Sequence, residues 1–259
     1  MLHLGTPRPG AGQKRAAKTR TQTPLDWSRR FDALGAAARD PRLQAFYAQG
    51  ALAGDTPLAD VPLLAMDFET TGLDPRSDEI VSIGIVPMTL ARIQSSASRH
   101  WVVRPRGVLN AESVTFHAIT HAQIEGAPDL GMILDELLPA LAGHVVVVHC
   151  AAIERAFLDA ALKARLGEGI AFPVIDTMAL EARLHRRHKS GLFKGLFARM
   201  FGHKVAPLSI RLADSRARYH LPRYRAHHAL TDALATAELL QAQIAHRFKP
   251  ETMLEEVWS

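Results

Sequence analysis

The sequence predicts an α/β domain: a mixed central sheet with helices on both faces. Three strand-like apolar runs come first, and then helical and strand-like runs alternate to the end of the chain. That order gives strands that pair as neighbours, followed by strands that return through crossover helices. The 259 residues are 47% hydrophobic, which supplies a sizeable core. No apolar run approaches the roughly 18 residues of a membrane span, so no membrane partner is expected.

Taken in order, residues 1–24 mix Gly, Pro, Thr and basic residues without periodicity and read as a flexible basic tail. Ser28-Arg29-Arg30-Phe31 invites a twin-arginine export reading, but charges and a proline follow where an apolar stretch would be needed. A cytoplasmic location is expected, and the single Cys150 suits that reducing compartment. Residues 25–55 place Trp27, Phe31 and Leu34, then Leu43, Phe46 and Tyr47, at the spacing of two short helices broken at Asp40-Pro41. This small helical extension is suited to docking a protein partner. Gly54-Asp55-Thr56-Pro57 reads as a linker into a main domain over residues 56–250.

Within that domain Leu63–Glu69, Ile80–Met88 and Arg99–Arg104 predict three consecutive strands. Leu130, Ile133, Leu134, Leu137, Leu138 and Leu141 recur at helical spacing, stopped at Ala142-Gly143. His144–His149 is β-branched enough for a buried central strand. A helix over 151–166, a short strand over 172–176 and a helix over 177–188 follow. Residues 189–204 have no clean period, and helices over 208–218 and 230–246 close the pattern.

The first strand carries chemistry. Asp67 and Glu69 are two positions apart, so both side chains leave the same strand face. Two acids on one face of a buried strand repel each other unless cations neutralise them, which divalent metals with oxygen ligands do well. Glu154 opens the helix that follows the His144–His149 strand, at the carboxyl end where open α/β sheets place their sites. His227 and Asp232 are five residues apart and converge only if His227 precedes a helix whose first turn holds Asp232. His117 and His121 stand at i, i+4 but lack the third ligand that zinc requires.

The segments DFETTGL, HCAAIERAFL and HHALTDALATAEL resemble, in order and spacing, the three sequence blocks of the DEDD 3′-to-5′ exonuclease superfamily in its histidine-bearing subtype. That group includes the proofreading subunit of the bacterial replicative DNA polymerase. The resemblance spans roughly residues 61–247, and SVTFHAIT resembles a further family stretch, with Ala118 in place of glycine. It implies a ribonuclease H-like fold and metal-dependent hydrolysis of phosphodiester bonds at single-stranded 3′ ends of DNA or RNA, DNA being favoured. By the same resemblance Asp67, Glu69 and Asp232 match metal-binding carboxylates for two Mg²⁺ or Mn²⁺ ions, and His227 matches the general base. Thr70, Thr71, Gly72, His117 and His149 are expected at the terminal nucleotide. Glu154 stands where the family has aspartate, so two readings follow. Either the longer carboxylate still serves a metal, or the chain is a catalytically weakened binding module.

Charge is segregated. Residues 1–30 hold seven Lys/Arg and one acid, and residues 183–225 hold twelve and one, although the whole chain carries only +5. Basic segments beside an acidic remainder suit a polyanion drawn past a metal site. Phe193, Phe197 and Phe201 recur every four residues, a stripe that favours burial over base stacking.

Overall fold

The computed structural model describes residues 25–107, 119–189 and 209–259. Five strands make one mixed sheet: β1 (Leu63–Thr70), β2 (Ile80–Met88), β3 (Arg99–Val102), β4 (Val145–Val148) and β5 (Val174–Asp176), in the order β3-β2-β1-β4-β5. The β1-β2 and β2-β3 pairs are antiparallel, whereas β1-β4 and β4-β5 are parallel. Consecutive hairpin strands thus lie on one side of β1 and crossover strands on the other, as the run order predicted.

The helices are α1 (Trp27–Ala37), α2 (Pro41–Ala48), α3 (His121–Glu125), α4 (Leu130–Leu141), α5 (Ala151–Leu166), α6 (Thr177–Lys189), α7 (Leu212–Arg218) and α8 (Ala229–Arg247). Their ends follow from local chemistry. Asp129 caps α4 by accepting the Gly131 N–H at 2.7 Å, and α5 stops where Gly167 turns left-handed at φ +73°. Strand β3 is shorter than expected because the chain then leaves β2, and the Arg104 N–H bonds the Pro128 carbonyl at 2.8 Å beside α4. Strand β5 begins only after Pro173, which has no N–H to give the ladder.

Alternation along β1 sorts its side chains between two cores. Leu64, Met66 and Phe68 face α4 and α5, with Ile83, Ile85, Val146 and Val148. Leu63 and Ala65 face α8, where Val86, Met88, Val145 and Val147 meet Ala233, Ala237, Leu240 and Ile244. The period of two then carries Asp67 and Glu69 to the α8 face.

Helices α1 and α2 are integrated with this body. Trp27, Phe31, Leu43, Phe46 and Tyr47 are buried in the same core as α4 and α5. The Tyr47 hydroxyl accepts the Ala171 N–H at 3.0 Å, and the Glu168 carboxylate accepts the Arg39 N–H. The segment expected as a linker is also fixed. The Leu254 and Glu255 N–H groups bond the carbonyls of Thr56 and Gly54, at 3.0 and 2.9 Å. Among the described residues no helix is long and apolar enough to cross a membrane.

Candidate active site

The site forms where β1 outruns its parallel neighbour β4. Asp67 pairs with Gly84 of β2, and Glu69 pairs with Ser82. Gly84 is the contact point for α8: a Cβ there would collide with the backbone of Ala229 and Leu230. Only a glycine lets the helix settle this close to the sheet. Asp232, in the first turn of α8, is thereby lowered onto the β1 acids. Ligand oxygens of Asp67, Glu69 and Asp232 lie within 4.8 Å of one another.

Glu154 comes from the first turn of α5 and is 5% exposed. It lies outside that trio, yet among the charges acting on Asp67 it is the strongest. Its Oε2 is buried without a hydrogen-bond partner among the described residues. Burial, then the charges of Glu154, Asp232 and Glu69, push the Asp67 carboxyl well above the usual carboxylate range. Burial and Asp232 raise Glu69 to about 8, and burial raises Glu154 to about 8 as well. Asp232 is also raised by burial, although N–H groups of His227 and His228 oppose the shift. Four acids that resist ionisation together, one with an orphaned oxygen, fit a divalent cation: hard oxygen donors, with neutralisation the cluster lacks from within.

His227 precedes α8, as the five-residue spacing required, in the left-handed region at φ +67°. That backbone turns its N–H onto Asp232 Oδ2 at 2.8 Å, leaving the residue exposed. His228 caps α8 and stacks on His100 of β3, ring centroids 4.8 Å apart. His100 Nε2 in turn contacts Ser82 Oγ at 2.7 Å. Asp67, Gly84 and His100 form one row across three strands, and α8 sits over it. Sequence reasoning missed Gly84, Ser82, His100 and His228. A glycine inside an apolar strand was the available signal for the first, whereas nothing local pointed to the others.

The remaining expected residues are placed as follows. Thr70 Oγ1 donates to the Gly72 carbonyl at 2.6 Å. Thr71 Oγ1 accepts the Glu79 N–H at 3.0 Å, so the turn after β1 is internally braced. A Cβ on Gly72 would strike the Asp78 carboxylate. His149 has both ring nitrogens engaged within the protein, with Thr177 Oγ1 at 2.8 Å and the Ile210 carbonyl at 3.0 Å. Burial lowers its pKa, and the Thr177 hydroxyl that it meets donates to the Val148 carbonyl at 2.9 Å. His117, Phe193, Phe197 and Phe201 lie outside the described residues. The basic segment is partly spent inside the protein. Arg216 is 3% exposed and pairs with Glu238 at 2.7 Å, and Arg218 pairs with Glu181 at 2.8 Å.

The sequence profile of the exonuclease family matches residues 64–240, a stretch that runs from β1 into α8 and contains all four acids and His227. The chain belongs to the exonuclease family. A DNA polymerase III subunit epsilon-like protein of Rhodobacter capsulatus is 31% identical to this chain over 185 residues, 71% of the chain and 24% of that protein. A PolC-type DNA polymerase III of Thermotoga maritima is 32% identical over 133 residues, 51% of the chain and 10% of that protein. The chain therefore spans a quarter or less of the length of these relatives. Among solved structures, the nuclease domain of 3′hExo, a DEDDh family member bound to rAMP, superposes with a TM-score of 0.55 at 14% identity. That match covers 72% of this chain and 92% of the other. The ribonuclease H-like arrangement of the chain, a mixed five-stranded sheet flanked by helices, accords with that likeness.

Proposed function

We propose that the protein is a metal-dependent 3′-to-5′ exonuclease that removes nucleotides from single-stranded ends, DNA being favoured, and releases nucleoside 5′-monophosphates. The observation that carries this reading is the convergence of Asp67, Glu69 and Asp232 within 4.8 Å, with buried Glu154 beside them. Asp67, Glu69, Glu154 and Asp232 would hold two divalent ions, Mg²⁺ or Mn²⁺. Bound there, such ions lower the pKa of water and stabilise the charge on a leaving oxygen.

The chain's own groups have separable tasks. His227 takes the proton of the attacking water, a role suited to an imidazole at neutral pH. Asp232 fixes where that ring stands, through the backbone N–H bond at 2.8 Å. As the water oxygen bonds to phosphorus, the bond to the 3′ oxygen of the upstream nucleotide breaks. The braced turn at Thr70, Thr71 and Gly72 borders the cluster and supplies backbone groups to the terminal nucleotide. Relatives named as DNA polymerase III proteins support DNA as substrate and a polymerase as partner.

Single strands labelled at either end separate the outcomes. With Mg²⁺ or Mn²⁺ the 3′ label is expected to leave at once as mononucleotide, while the 5′-labelled strand shortens stepwise. Chelation and Asp67→Ala should each abolish both signals. Release of the 5′ label first, or turnover that survives chelation, would overturn the reading.

A further inference from the structure

His100 stands on the edge strand β3, on the sheet face that carries Asp67, Gly84 and α8. The sheet fixes its ring. Nε2 contacts Ser82 Oγ at 2.7 Å, and Ser82 is 1% exposed with no other side-chain hydrogen bond among the described residues. Against the His100 ring lies that of His228, the centroids 4.8 Å apart and the planes tilted by 32°. His228 in turn caps α8. Its Nδ1 accepts the Thr231 N–H at 3.4 Å, and its own N–H donates to Asp232 Oδ2 at 3.4 Å. One residue earlier comes His227, one of two non-glycine residues with positive φ among the described residues. A backbone of that kind persists only where its surroundings hold it. The His227 side chain is exposed and has no hydrogen bond among the described residues, so the backbone aims it.

We propose that His100 is a positioning residue: through its stack on His228 it holds the left-handed turn at His227 and so sets where the general base stands. The consequence for catalysis rests on the exonuclease reading. Contact lengths favour the stack as the firmest hold on His228. Its two hydrogen bonds, at 3.4 Å, are long against the usual roughly 2.7–3.2 Å. The ring pair, at 4.8 Å, lies at the close end of the ~4.5–7 Å that aromatic pairs adopt. Gly84 and His100 also divide one task. Gly84 sets how near α8 approaches the sheet, because the backbone of Ala229 and Leu230 rests on it. His100, its neighbour in the same row, sets how far the start of α8 can slide towards the sheet edge. Folding alone asks little of this ring. It is exposed, on an edge strand, and belongs to neither main apolar core.

The test compares full-length wild type with His100→Ala and His100→Phe. Because His100 is exposed, all three should melt alike. In chelator and without nucleic acid, amide hydrogen exchange at His227, His228 and Thr231 is followed by NMR. His100→Ala is expected to quicken it about 2- to 10-fold, the effect of losing one aromatic pair. His100→Phe keeps a ring for His228 and should return it towards wild type. With Mg²⁺ or Mn²⁺ and a 3′-labelled single strand, His100→Ala should lower kcat about 10-fold at unchanged KM. That is part of the ~10²–10⁴ that a positioned general base supplies, and His100→Phe should recover most of it. A residue that served only the fold would lower the melting temperature and leave the kcat of folded protein untouched. Unchanged exchange in His100→Ala would overturn the proposal, as would wild-type kcat in that variant or no recovery in His100→Phe. If wild type never shortens the strand with metal, the exonuclease reading fails, and the exchange result alone decides whether His100 holds the turn.

Discussion

At the scale of single residues, the clustered acids are brought together by a side chain that is absent. Gly84 sits directly across from Asp67, and α8 rests on it. Replacing it with valine forces the helix off the sheet and carries Asp232 away from Asp67. The expected loss of stability is about 1–3 kcal/mol, the range for overpacking a filled core, read by urea denaturation. The expected loss of kcat is ~100-fold, because displacement of about 1 Å at a catalytic group costs that much. A folded Gly84→Val protein with wild-type kcat would contradict this account. His227 illustrates the same economy of position. Its left-handed backbone, unusual for a non-glycine residue, is what directs its N–H to Asp232.

At the scale of elements, the order and most bounds of the strands and helices were legible, because apolar periodicity is a local property of the chain. Asp67 and Glu69 could be assigned to one face for the same reason. The contacts of His100 with His228 and Ser82 were not legible. They depend on the β2-β3 register and on the residue at which α8 begins, both fixed by distant packing. The basic segment misled in part, since a string of arginines does not reveal that Glu238 and Glu181 await two of them inside the fold. Periodicity also gave α1 and α2 an apolar face without saying what it meets. It meets the main core: Phe31 is 3% exposed, with Tyr47 and Phe46 rings at 5.1 and 5.5 Å. Phe31→Ala is therefore expected to cost the whole protein about 3–5 kcal/mol in a single unfolding transition. A loss below about 1 kcal/mol, or a separate early transition, would mark these helices as an independent module.

At the scale of the molecule, the acid cluster ties stability to pH. Glu69 and Glu154 have folded pKa values of about 8 against ordinary values of 4.5, so the folded state binds more protons than the unfolded one between those limits. Stability is then greatest below the lower limit and falls as pH rises towards the upper. The histidines lowered by burial, His100 and His149, act in the opposite sense but only up to their ordinary 6.5. The carboxyl effect therefore stands alone above neutrality. Chelator-treated protein should melt at a lower temperature at pH 8 than at pH 7, and Mg²⁺ or Mn²⁺ should flatten the difference. A melting temperature that rises over that interval would refute it. One further consequence follows from the backbone bonds that join residues 54–58 to residues 252–255. Those two short stretches flank everything that carries the acids, and they can meet only after the whole intervening chain has been made and has collapsed. Closing so large a loop is slow. During synthesis on a ribosome, Asp232 follows Asp67 and Glu69 by most of the domain, so the acid cluster can assemble only when nearly all of the chain has been made.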